Sequence, residues 1–297
     1  MSPDHTYASP AAFRRALTDK LKTVAGTSRW TLQQLQRQMA YDRLLERLYL
    51  VDDGWIVKGA TALLARDLGV RSTIDIDVYR DAARQVAEAD LRTAASADIG
   101  DWFRFDVRPA QPTADRTPGA RFPVRAFVGA TAWAEFHVDL VGTDLQMTGE
   151  AETVPPLARV VMPDIEQHGY RAYPLVDHVA DKVAAIIERH GTGDYPSTRF
   201  KDLVDLVAIA TGTSVHAEPQ TAALASEAAR RGITLPARFA VPDRPMWQKG
   251  YRAEAGRSLL PTARTLDEAL AIAGSFLDPL LDGTATGSWD RNRREWR

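Results

Sequence analysis

From 55 to 79 the chain reads Trp-Ile-Val-Lys-Gly-Ala-Thr-Ala-Leu-Leu-Ala-Arg (55–66), a short turn, and then Arg-Ser-Thr-Ile-Asp-Ile-Asp-Val-Tyr (71–79). The second half alternates β-branched or apolar residues with acids from Thr73 to Tyr79, which predicts a strand with one wet and one dry face. Successive strand side chains face opposite sides, so Asp75 and Asp77 point the same way while Ile74, Ile76 and Val78 are expected in the core. Two carboxylates at i and i+2 can hold one or two divalent cations, and oxygen-only ligands suit magnesium or manganese. In the first half an apolar strand, Trp55 to Val57, meets Gly59 and an Ala/Leu-rich helical stretch. Such a junction sets backbone N–H groups, the positive end of a helix dipole and Lys58 where an anion such as a triphosphate can dock. Taken singly, the halves also read as a glycine-turned strand-to-helix junction and an edge strand with two solvated acids. Their order and spacing together favour a metal–nucleotide site.

These residues carry a resemblance. Lys58-Gly59, Arg66, Arg71, Thr73 and Asp75-x-Asp77 are similar to the signature of the AbiEii family of nucleotidyltransferase toxins, which includes the MenT toxins and belongs to the DNA polymerase β-like superfamily. Asp181-Lys182-x-x-Ala185 and Arg199-x-Lys201-Asp202-x-x-Asp205 resemble two later motifs of that family, and Pro245-x-Trp247 with Tyr251 a further C-terminal one. One departure is Ala60, where many members have a second glycine.

Bulk properties fit a soluble intracellular enzyme. At 297 residues, 45% of them hydrophobic, the chain can bury a sizeable core. It has no cysteine, so disulfides, thiolate metal sites and cysteine nucleophiles are excluded. No apolar run approaches transmembrane length, and the opening Met-Ser-Pro-Asp-His lacks the basic and apolar regions of a signal peptide, so a cytoplasmic location without membrane partners is expected. A net charge of −2 argues against a wholesale nucleic-acid coat, although the 37 basic residues leave room for a local basic surface.

Two helices open the chain. Ser9-Pro10 caps the first, with Phe13, Leu17, Leu21 and Val24 at helical spacing; Thr31-x-x-Gln34 is a capping box for the second, with Leu32, Leu35, Met39 and Leu48 inward. Arg14, Arg15, Lys20, Lys22, Arg37, Arg43 and Arg47 are expected on their outer faces, either against RNA phosphates or simply in water. A helix is predicted over 82–95, then strands over 102–107, 122–128 and 133–140. The last alternates Glu135, His137 and Asp139 with Phe136, Val138 and Leu140. Asp139 is thus a candidate third carboxylate if its strand neighbours Asp75 and Asp77, with Glu135 as its competitor. His137 reads either as a site residue or as filler of a mixed surface.

Beyond Pro155-Pro156 the composition turns helical, which puts a boundary at 160/161. Helices are predicted over 175–190, 199–210, 220–231 and 265–277. In the second of these, Asp202 and Asp205 share a face, with Arg199 and Lys201 at ion-pair spacing, a pattern that also suits a surface ladder of charges. Pro242 to Tyr251 reads as a loop whose Trp247 and Tyr251 either stack on single-stranded RNA or plug the helical core. The end, Arg291 to Arg297, offers the same pair of readings, with a frayed, solvated terminus favoured over RNA contact. There is no zinc-ligand histidine spacing, no Gly-x-x-x-x-Gly-Lys-Ser/Thr loop and no Gly-x-Ser-x-Gly elbow.

The resemblance implies an α/β (α+β) fold: a polymerase β-like nucleotidyltransferase lobe with a mixed sheet over 1–160, and a mainly helical lobe over 161–297 that completes the active site. It implies a toxin of a toxin–antitoxin pair that takes a nucleoside triphosphate, transfers the monophosphate to an RNA hydroxyl, chiefly the tRNA 3′ end, and is restrained by a cognate antitoxin. Asp75, Asp77 and Asp139 would bind Mg2+ or Mn2+, with Lys182 and Asp205 joining them in catalysis. Lys58, Gly59, Arg71, Thr73, Lys182 and Asp202 would hold the nucleotide. The rival readings are a small-molecule nucleotidyltransferase acting on an antibiotic-type hydroxyl, and a non-catalytic nucleotide- or partner-binding module.

Overall fold

Two capped helices begin the described chain, which in this computed structural model comprises residues 6–111, 119–141 and 145–297. The opening pentapeptide lies outside those residues. Ser9 accepts from the Ala12 N–H and Pro10 opens the first turn of α1 (Pro10–Thr27); Thr31 and Gln34 close a reciprocal capping box on α2 (Leu32–Val51). Then come β1 (Ile56–Lys58), α3 (Gly59–Ala65), β2 (Asp75–Tyr79), α4 (Arg84–Ser96), β3 (Phe103–Val107), β4 (Gly119–Val128), β5 (Thr131–Val141), β6 (Glu152–Val154) and β7 (Tyr170–Ala172). These strands form one mixed sheet in the order β3-β4-β5-β2-β1-β7-β6. Val57, Ile76, Val78, Phe122, Val124, Val138 and Leu140 bury its dry face together with α1, α2 and α4.

By contacts the chain divides into two compact units, 1–66, 73–145 and 152–172 in one, and 67–72, 146–151 and 173–297 in the other. The first unit keeps the chain past residue 160 because β7 pairs in parallel with β1 and carries β6 on its far side. Asp42 of α2 fastens the preceding segment by accepting from the Leu157 and Ala158 N–H groups, both at 2.8 Å, and from the Tyr170 hydroxyl. Burial pushes the Asp42 carboxyl up to about 6 in spite of those donors.

Two expectations fail in this unit. Arg43 and Arg47 are not on an outer face: both are buried, and both pair with buried Asp101 at 2.6 Å. Helical spacing could not reveal this, since the partner arrives from beyond α4. Burial alone would raise the Asp101 pKa, but the two guanidiniums outweigh it and hold it below the usual range. Ile74 is 49% exposed rather than in the core, because β2 begins one residue after it.

The second unit is mainly helical. It contains α5 (Leu175–Ile187), a small hairpin of β8 (Arg189–His190) and β9 (Tyr195–Pro196), α6 (Phe200–Gly212), α7 (Ala217–Arg231), α8 (Arg244–Arg257), α9 (Leu266–Leu281) and a last hairpin of β10 (Trp289–Asp290) and β11 (Glu295–Trp296). The helix predicted to reach His190 stops at Ile187, where the chain turns into β8. The stretch read as a loop is the first half of α8. Asp243 caps it by accepting from the Met246 N–H at 2.9 Å, and Pro245 falls in the first turn, where no N–H is needed. Trp247 and Tyr251 are fully buried; the indole donates to the Ser197 carbonyl at 2.9 Å and the phenol to the Ala263 carbonyl at 2.8 Å. They plug the helical core, and RNA stacking is ruled out for them. The tail is not frayed either: Trp289 donates to the Ala210 carbonyl and Trp296 to that of Phe276, whose ring stacks on Trp296. Among the described residues no helix is long and apolar enough to cross a membrane.

Candidate active site

The wet face of the sheet is built by register. β2 and β5 are parallel neighbours, with Asp75 opposite His137 and Asp77 opposite Asp139; β1 sets Lys58 opposite Asp77, and β4 sets Arg121 opposite Asp139. Side chains at paired positions of a sheet share a face, so Lys58, Asp75, Asp77, His137, Asp139 and Arg121 form one polar surface. Asp139 therefore stands beside Asp77. Glu135 lies on the same face but further along, two-thirds exposed and paired to Arg125 at 2.7 Å.

Arg121 holds Asp139 in a two-pronged grip. Its Nε and Nη2 donate to the two carboxylate oxygens at 2.8 and 2.6 Å, and Nη2 also lies 3.5 Å from Asp75 Oδ1. The bond to Asp139 is the largest of the effects that raise the guanidinium pKa further above its ordinary value. The same Asp75 oxygen lies 3.2 Å from His137 Nδ1. Sequence reasoning missed Arg121 because the strand was predicted to start at Phe122, three residues after β4 begins. Its alternation with Phe122, in step with Arg125, was the available signal.

Gly59 is required by close approach. It has φ +60, and a Cβ there would sit 1.7 Å from Asp77 Oδ2. Ala60 is buried in α3, a helix of 7 residues. The Thr73 hydroxyl folds back onto Asp75, accepting from its N–H and donating to its carbonyl, both at 3.1 Å, while the Thr73 carbonyl accepts from the Tyr41 hydroxyl at 2.9 Å. Thr61 adds a bond to the Asp75 carbonyl at 3.1 Å. Thr73, Tyr41 and Thr61 thus position the start of β2. Beside Asp75 is a cavity of about 240 Å³ lined by Ile74, Arg108, Pro123, Arg125, Glu135 and His137.

The carboxylates of Asp75, Asp77 and Asp139, half-buried on adjacent strands, are an all-oxygen donor set that suits a hard divalent cation. Among the described residues no three acidic or histidine side chains converge as a ready ligand group, and both Asp139 oxygens are turned to Arg121.

The second unit holds its own cluster. Lys182 of α5 donates to Asp202 and Asp205 of α6 at 2.9 and 2.7 Å, and Arg71 grips Asp205 with Nε and Nη2 at 3.0 and 2.9 Å. Arg199 closes on Asp202 at 3.4 Å. Lys182 and Asp205 are buried, so this is no surface ladder. Burial would raise the Asp205 pKa, but Lys182 and Arg71 outweigh it and bring it down to about 2. Burial likewise opposes the Lys182 charge, and the two aspartates win, holding its pKa above the ordinary lysine value.

The fold is shared with solved structures. MenT4, the nucleotidyltransferase toxin Rv2826c from Mycobacterium tuberculosis H37Rv, superposes with a TM-score of 0.57 at 15% identity, over 94% of this chain and 92% of that one. JHP933 from Helicobacter pylori gives 0.50 at 18% identity, over 84% and 92%. No curated protein sequence matches the chain. The family described as "Nucleotidyl transferase AbiEii toxin, Type IV TA system" matches residues 43–272, a span that holds the acidic strands, Arg121 and the Lys182 cluster. By that match the chain belongs to the AbiEii family of toxin nucleotidyltransferases.

Proposed function

We propose that this toxin transfers a nucleoside monophosphate from a nucleoside triphosphate to the 3′ hydroxyl of tRNA in the cytoplasm, and that the lengthened end blocks aminoacylation and translation. The observation that carries this reading is the juxtaposition of Asp75 and Asp77 on β2 with Asp139 on β5. These carboxylates would hold Mg2+ or Mn2+, which neutralises charge on the triphosphate as the bond to the leaving pyrophosphate breaks. Asp139 takes the proton of the attacking hydroxyl once its oxygens are released by Arg121. Lys58 gives the phosphates point charge from the end of β1, and Gly59 keeps the adjoining backbone clear of Asp77. Thr73 acts by holding β2 in place. In the helical unit, Lys182 and Arg71 are assigned to nucleotide phosphates, with Asp202 and Asp205 orienting them. The family implies an antitoxin partner.

The cavity beside Asp75 sets Arg108 and Arg125 against one acid, Glu135, which pairs with Arg125; that balance suits an anionic acceptor better than an aminated drug and supports RNA over the small-molecule rival. Purified protein incubated with each labelled triphosphate and total tRNA, with magnesium or with chelator, tests the reading. Label is expected at tRNA 3′ ends in magnesium alone. Labelling equal in chelator would remove the metal, and no labelled tRNA with any triphosphate would remove the acceptor.

A further inference from the structure

Arg121 is a feature of the acidic face that motif reasoning did not assign, and its guanidinium faces two of the three acids. The guanidinium engages both oxygens of Asp139 on β5 and comes within 3.5 Å of Asp75 on β2, so it spans the two strands whose acids a shared metal ion would join. A divalent cation and a guanidinium repel one another, and the Nη2 that lies within reach of both Asp139 and Asp75 competes with any ion those two acids would share, even though each oxygen keeps a second lone pair. We propose that Arg121 is a resident counter-cation of the acidic face, that metal loading is an exchange in which this arginine is displaced, and that Arg121 thereby sets the protein's metal affinity. The inference rests on the metal-dependent reading above.

The surroundings favour exchange over permanent clamping. Arg121 is 36% exposed on the wet face of β4, so its head can swing into water without opening the core. Arg43 and Arg47, which grip Asp101 with comparable geometry, are sealed and have nowhere to go. The exchange also gives the unloaded protein a definite state, in which both oxygens of Asp139 are engaged by Arg121. Arg121 thus acts through Asp139 and is a positioning residue.

The sign of one measurement decides the matter. Mn2+ binding by the full chain can be followed through the paramagnetic resonance signal of free Mn2+, with no turnover involved, for wild type, Arg121→Gln, Arg121→Lys and Asp75→Asn. Removing a competing cation should tighten Mn2+ binding, by about 5-fold or more for Arg121→Gln, with Arg121→Lys in between and Asp75→Asn abolishing it. Circular dichroism melts establish that each variant is folded; should Arg121→Gln fail to fold, Arg121→Lys alone must still bind more tightly than wild type. Affinity unchanged or weakened would overturn the proposal, a weakened one meaning that Arg121 preorganises Asp139 for the metal. Mn2+ left free by wild type and every Arg121 variant would overturn the metal site itself, and the proposal with it.

Discussion

The sheet face of the first unit and the α5–α6 pair of the second both set aspartates against cations at 2.6 to 3.0 Å, yet they differ in what surrounds them. Asp75, Asp77 and Asp139 are half-buried on the wet face of the sheet, held by backbone register and faced by Arg121, which is 36% exposed. Asp205 and Lys182 are buried, and their charges are balanced within the cluster, Lys182 by Asp205 and Asp202, Asp205 by Lys182 and Arg71. Similar contacts therefore have different consequences. On the sheet, loss of a carboxylate is expected to remove activity and leave the fold; in the helical unit, it is expected to leave buried charge unpaired and to cost stability first.

The largest expected effect breaks that contrast if it fails. Asp75→Asn and Asp77→Asn should each lower nucleotide transfer by about 10³-fold or more while moving the melting temperature by less than about 2 °C. Labelled incorporation and circular dichroism measure the two quantities. A variant that melts far below wild type would mean that these acids belong to the scaffold.

Next in size is the helical cluster. Asp205→Ala should destabilise the protein by about 3 to 5 kcal/mol in denaturant titrations, the cost of stranding a buried partner. Acid gives a finer contrast. The Asp205 pKa is lowered to about 2 from an ordinary 3.8, so its stabilising contribution is complete above 3.8 and is lost as pH falls through about 2. Asp42 has the opposite sign: raised to about 6, it binds its proton more readily in the folded state, so its term in stability improves as pH falls from about 6 toward 3.8. Each term is worth about 2 to 3 kcal/mol. Stability against pH, compared between wild type, Asp42→Asn and Asp205→Asn, should lose the slope between 4 and 6 in the first variant and that between 2 and 4 in the second.

The smallest effect concerns the acceptor. Arg108→Glu with Arg125→Glu, beside the cavity, should raise the KM for tRNA by about 10-fold and leave that for triphosphate unchanged, and the salt dependence of tRNA binding should flatten. Lys20→Glu with Lys22→Glu on α1 should do less. The reverse order would move the acceptor onto the N-terminal helices.

What the sequence revealed depended on the range of the interaction. Alternation located β2 and β5, and capping residues located α1 and α2, because those signals are local. That β2 and β5 are adjacent was not legible, since β3 and β4 intervene in the chain between parallel neighbours. Arg43 and Arg47 looked like solvated charges because Asp101, their partner, is more than fifty residues away. Pro245, Gly250 and Gly256 disguised α8, whose stability comes from its cap and from two buried aromatic rings rather than from helix propensity. Asp202 and Asp205 were correctly placed on one face, but spacing could not tell whether that face met water or Lys182.

Gly59 makes the site brittle in a way that its charged residues do not. Every one-step substitution of this glycine adds a Cβ where Asp77 Oδ2 already is, at a backbone angle that side chains rarely adopt. Alanine there is as disruptive as a change of charge. In a culture carrying the toxin gene without restraint, survivors should thus include alleles altered at this codon whose product is still made and still folded, a class of silent relic that would keep the protein's surface and whatever its partner recognises on it.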